Sequence, residues 1–111
     1  SGGGLWYDGT TYISSSLDTD LRISGSVYIS GSIIPNNNKS HSLGKKGNSF
    51  KEIWAQDTYF GDVNLSNVDR GPNEVDGTQG SWTIQEGKKD LFLINRKNGK
   101  KYKFKLQEVK K

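Results

Sequence analysis

Apolar and polar residues alternate most regularly near the end of the chain. From Lys101 to Leu106 the lysines hold the odd positions, while Tyr102, Phe104 and Leu106 hold the even ones. That period of two predicts a strand with one wet and one apolar face. Two further runs precede it, Trp82–Gln85 with Trp82 and Ile84, and Leu91–Asn95 with Leu91 and Leu93. The connecting segments 86–90 and 96–100 are short and polar. The second holds Asn98-Gly99, a pair suited to a tight hairpin because both residues tolerate positive φ. The pattern therefore predicts a three-stranded β-meander over residues 81–111. Leu91–Ile94 is apolar at four consecutive positions, so both faces of that strand want cover. A small meander with one wet face cannot supply it, which points to a partner surface.

A weaker pattern runs through residues 12–35. Tyr12-Ile13-Ser14-Ser15-Ser16 recurs as Tyr28-Ile29-Ser30-Gly31-Ser32, and Ile23-Ser24-Gly25-Ser26 recurs six residues later as Ile29-Ser30-Gly31-Ser32. Leu21, Ile23, Val27, Ile29 and Ile33 are spaced by serine and glycine, which allow close approach of backbones. Short strands separated in this way would bury little in a single chain. They suit a thin, intertwined β-structure in which the core lies between chains.

The remaining stretches divide the chain. Residues 1–16 read as a flexible glycine lead and a short hairpin, with Trp6 and Tyr7 on its first arm and a turn at Asp8-Gly9. The start without methionine is that expected of a piece of a longer protein. Residues 17–66 form the β repeat region with a Ser-Leu-Gly motif. Pro35–Ser40, including Asn36 and Asn37, reads as a polar surface loop. Residues 67–80 are rich in glycine and charge and read as a linker loop before the 81–111 module.

Composition favours an all-β chain of one domain's worth or less. The 111 residues include one alanine and no methionine, while Ile, Val, Thr, Tyr and Trp dominate the apolar set. Leu, Ile, Val and Phe number 25 of 111, so a monomer's core would be thin and oligomerisation is the natural remedy. The absence of cysteine excludes a disulfide framework, a thiolate metal site and thiol redox chemistry. No apolar run approaches the length of a bilayer span, so membrane insertion is not expected. The net charge of +4 is uneven: residues 81–111 carry ten Lys/Arg against three acids, and residues 1–80 six against nine. A lysine face keeps an exposed edge strand from aggregating, and a basic end can also meet phosphates or an acidic neighbour.

Residues 41–55, HSLGKKGNSFKEIWA, carry the most informative segment. Ser49 with Glu52 three residues on could be a capping box over a single helical turn carrying Phe50, Ile53 and Trp54. Equally, Phe50–Trp54 could turn into a strand running to Tyr59-Phe60, and the lack of a longer helical pattern favours that. Ser42-Leu43-Gly44, a polar spacer and Asn48-Ser49-Phe50-Lys51-Glu52-Ile53-Trp54 resemble a segment recurrent in trimeric tail-fibre and related structural proteins of bacteriophages and large viruses. The block from Trp82 to Phe104 is similar to C-terminal blocks of such proteins, and the order of repeats, motif and β module is the same. The resemblance covers roughly residues 12–106. It implies a homotrimeric, non-enzymatic structural segment of a virion, in contact with other virion structural proteins and assembled in the host cytoplasm. On that model Leu21, Ile23, Val27, Ile29 and Ile33 of three chains meet along an axis. Phe50, Ile53 and Trp54 clamp neighbouring chains, and Trp82, Ile84, Leu91, Leu93, Tyr102 and Phe104 close the end. Self-cleaving chaperone and His-x-His metal repeats are missing from the pattern.

Residue chemistry offers little else. His41 is the only histidine and has no partners at catalytic or metal-binding spacing. Asp18 and Asp20 are expected as solvated charges. Asp69, Glu74 and Asp76 lack the spacing and closing glutamate of a calcium loop. Gly44-Lys45-Lys46-Gly47 lacks the frame of a phosphate loop. No cofactor is expected. Two other functions are weighed. A host-surface glycan or receptor could be met by Trp6, Tyr7, Trp54 or the Asn36-Asn37 loop. A basic nucleic-acid module needs rings and charges on one side, and alternation puts Tyr102 and Phe104 opposite the lysines.

Overall fold

A computed structural model of the chain describes residues 20–110. The hairpin expected over residues 1–16, with Trp6 and Tyr7, and the first copy of the Tyr-Ile-Ser repeat lie outside the described residues. The chain divides into two units, Ser1–His41 and Ser42–Lys111.

In the described part of the first unit there is neither helix nor strand. The backbone bends at Ser24-Gly25 and again at Ser30-Gly31, once per Ile-Ser-Gly-Ser repeat. Leu21, Ile23, Val27, Ile29 and Ile33 are all more than half exposed. The short strands expected here are therefore not formed among the described residues. A strand exists only where its N–H and C=O groups find a neighbour, and this segment finds none among the described residues. Asn36 and Asn37 sit in an exposed bend that ends at Lys39, with φ at +61°.

The second unit holds a four-stranded antiparallel sheet in the order β1-β2-β3-β4, with β1 at Asp62–Ser66, β2 at Ser81–Glu86, β3 at Leu91–Asn95 and β4 at Lys101–Lys103. The three C-terminal strands follow the expected runs, although the last is shorter than the alternation of 101–106. β1 is an addition: Asp62–Ser66 pairs along its whole length with β2. Residues 67–80, expected as a linker between modules, thus join two neighbouring strands of one sheet. The stretch from Phe50 to Phe60 is neither the helical turn nor the strand considered for it, and the strand starts only at Asp62.

The turns show how the sequence sets the register. Asn95 closes the β3–β4 connection: its N–H donates to the Lys100 carbonyl at 2.9 Å, and its side-chain Oδ1 accepts from the N–H of Lys97 at 2.9 Å. Of the Asn98-Gly99 pair only Gly99 has positive φ, +75°. The connection is therefore a four-residue loop capped by Asn95, rather than the two-residue turn that Asn-Gly suggests. In the β2–β3 loop Gly87 donates to the Asp90 carbonyl at 2.7 Å. A Cβ at Gly87 would stand 2.5 Å from the Phe92 ring, so the ring lies where a side chain would be.

Candidate assembly surface

The strand register sorts the side chains of the sheet onto two faces, since directly opposed residues share a face. One row crosses all four strands as Val63, Ile84, Leu93 and Tyr102. Leu65 and Trp82 lie beside it, and Leu91, with Phe104 beyond the end of β4, lies on its other flank. This face is apolar throughout, apart from Glu86 and Asn95 at its margins. The other face carries Asp62, Asn64, Thr83, Gln85, Lys101 and Lys103, with Phe92 and Ile94 among them.

Burial is the reverse of what an isolated sheet would choose. Among the described residues Ile94, on the mixed face, is the only buried apolar side chain, and the only fully buried side chain is that of Thr83. No residue of the apolar face is buried; Val63, Trp82, Ile84 and Leu93 are half-buried, while Leu65, Leu91, Tyr102 and Phe104 are exposed. The Trp82 and Tyr102 rings lean together at 5.9 Å between centroids and 42° between planes, within the range of favourable aromatic pairs. Nothing else among the described residues covers them.

The mixed face is tied by hydrogen bonds instead. The Thr83 hydroxyl donates to Oδ1 of Asn64 at 2.7 Å and accepts from Nε of Arg96 at 3.0 Å. One hydroxyl thus joins β1, β2 and the end of β3. Arg96 also donates its backbone N–H to the Ser81 carbonyl at 2.8 Å.

At one end of the sheet, loop 67–80 forms a recess of about 520 Å3 with Leu65, Arg70, Asn73, Asp76, Thr78 and Trp82 on its walls. Its polar atoms bond to each other. Asn73 donates to Asp76 at 2.8 Å and to the Thr78 carbonyl at 2.9 Å, while its own Oδ1 accepts the N–H of Val75 at 2.8 Å and of Asp76 at 3.0 Å. Asp76 Oδ1 accepts the Thr78 hydroxyl at 2.7 Å. Bonds from the Thr78 hydroxyl, from Asn73 and from the Thr78 N–H hold the Asp76 carboxyl below its ordinary pKa. Arg70 turns to the Pro72 carbonyl and to Glu74. This is the side-chain chemistry of a self-closing loop.

The Ser-Leu-Gly segment is a small turn. Lys45 and Asn48 exchange backbone hydrogen bonds at 3.2 and 2.9 Å, and Gly44 and Gly47 have φ of +82° and +86°. The Phe50 ring packs over Gly44, where a Cβ would meet it at 3.3 Å. Ser49 does not cap a helix: its hydroxyl donates to the Asp69 carboxylate at 2.8 Å, fastening the motif to loop 67–80. Ile53 and Trp54 stand exposed, Trp54 at 89%. His41 is exposed, and no group of three His, Asp or Glu side chains fit to hold a metal occurs among the described residues.

The residues singled out from sequence are thus brought together only in part. Trp82, Ile84, Leu91, Leu93, Tyr102 and Phe104 share one face, whereas Phe50, Ile53 and Trp54 lie on the motif segment. Sequence reasoning passed over Val63, Leu65 and Thr83. The first two alternate around Asn64, a signal for a short strand; Thr83 carried none. No family model, curated protein or solved structure matches the chain.

Proposed function

We propose that the chain is a non-enzymatic structural segment of a viral fibre or tail appendage that assembles as a homotrimer. The observation that carries this reading is the uncovered apolar face of the sheet. Eight apolar side chains lie on it, none buried in its own chain. Covering what each still leaves in water, about half or less of every side chain, is worth about 0.5–1 kcal/mol, or roughly 4–8 kcal/mol per copy, against the 4–15 kcal/mol that association costs. The exposed Leu21, Ile23, Val27, Ile29 and Ile33 of the repeat segment add to the same demand. Strands that lack partners within one chain find them when three chains run together. The viral setting rests on the resemblance of residues 42–54 and 82–104 to fibre proteins. Against a nucleic-acid role, the register sets Tyr102 on the face opposite Lys101 and Lys103.

The test is the solution mass by light scattering over a dilution series. A mass of three chains that survives dilution is expected. A compact monomer at every concentration would overturn the reading, because the apolar face would then be tolerated in water.

A further inference from the structure

Among the described residues the sheet leaves both edges, β1 and β4, without partners. Phe104 donates its N–H to the Leu91 carbonyl at 3.0 Å, and Asn95 donates to the Lys100 carbonyl. Alternation of an antiparallel ladder then turns the N–H and C=O of Lys101 and Lys103 outward. On the other side, Arg96 donates to Ser81 and Gly87 to Asp90, so Ser81, Thr83 and Gln85 of β2 bond to β3. The bonds from β2 to β1 therefore belong to Val63 and Leu65, and the outward groups of β1 are those of Asp62, Asn64 and Ser66.

We propose that the β4 edge of one copy pairs with the β1 edge of a second copy of this chain, giving a head-to-tail ring with the apolar faces inward. This rests on the trimer reading and specifies its contact. Three features of the edges agree. With four antiparallel strands, β1 and β4 run in opposite directions, so the junction is itself antiparallel. The outward backbone groups of both edges sit at residues of the same face, so pairing them continues the apolar face without a break. Finally, Asp62 of one copy comes against Lys101 and Lys103 of the next. Pairing β4 with another β4 would set lysines opposite lysines, which is destabilising. The lysines thus act as a selector, rejecting the symmetric contact and accepting the acidic edge.

Charge exchange in the full chain tests this. Asp62→Lys alone, and Lys101→Glu with Lys103→Glu alone, are expected to weaken the trimer roughly fivefold per edge, about a hundredfold over three edges. The triple exchange in one chain should restore it. Lys103→Pro gives a second probe: it removes an outward N–H while leaving the β3 ladder intact, and should lower the mass with the far-UV circular dichroism of the sheet retained. If the parent chain is a trimer but neither single exchange changes its affinity, or the triple exchange fails to rescue, the edge pairing is overturned and the trimer stands. If the parent chain is a monomer throughout, the trimer reading itself has failed.

Discussion

Replacing Thr83 by valine removes a hydroxyl and keeps the shape. The side chain is fully buried, and its oxygen holds Asn64 of β1 and Arg96 beyond β3. Two hydrogen bonds, each worth about 0.5–1.5 kcal/mol, are lost. Asn64 and Arg96 are both exposed, so each can turn to water and the full cost of an orphaned buried group does not arise. The valine methyl regains up to ~0.8 kcal/mol. The net loss is about 1 kcal/mol, or ~4–8 °C in Tm for a unit of this size. Thr83→Ser keeps both bonds and gives up only the methyl, which leaves a small cavity. Thermal unfolding followed by far-UV circular dichroism, at one fixed protein concentration because assembly shifts Tm, compares the two. Valine matching the parent, or exceeding serine by several degrees, would refute the view that this hydroxyl joins the three strands.

Three other outcomes are expected. Gly87→Ala forces the Phe92 ring out of the space it fills and should cost about 1–3 kcal/mol in urea unfolding; a neutral result would show that the ring moves freely. Asp76 has a depressed pKa in the folded chain, so the stability it lends is present above its unfolded value near 3.8 and is lost as pH falls through the lower folded value. The Thr78 amide should stay protected from hydrogen exchange to below pH 3.8 and lose protection only as the depressed folded value is passed, whereas Asp76→Asn should remove that pH step. Ile53→Asp places a charge on the side chain expected to clamp neighbouring chains and should yield monomer by light scattering; a full trimer would exclude Ile53 from the contact.

The C-terminal sheet was legible where apolar alternation is local. Leu91–Asn95 was read with its observed bounds, and Trp82–Gln85 was extended by a residue at each end. β1 was not legible, because Val63 and Leu65 are only two apolar positions, and their strand is defined by a partner on the far side of a long loop. That loop read as a linker because its order comes from Asn67, Asn73, Asp76 and Thr78 bonding to one another, chemistry that composition alone does not separate from a solvated segment. Of the apolar face, Trp82, Ile84, Leu91, Leu93, Tyr102 and Phe104 were legible strand by strand, whereas Val63 and Leu65, on the strand that was not, were missed. Once the register is known, Leu91 and Leu93 join the uncovered face, while Ile94 is the one apolar side chain buried on the other.

The closure of loop 67–80 at its base has an evolutionary consequence. Asn67 donates to the Thr78 carbonyl at 3.1 Å and accepts the Gly80 N–H at 2.9 Å. These bonds hold the ends of β1 and β2 in register whatever lies between. The exposed tip around Glu74-Val75 is therefore where the chain can lengthen or diversify at small cost, since doubling a loop costs only about 0.6 kcal/mol in closure entropy. Sequence drift should concentrate at that tip, with Asn67 and Gly80 holding still beneath it. A new surface could be displayed there without altering the sheet that carries it.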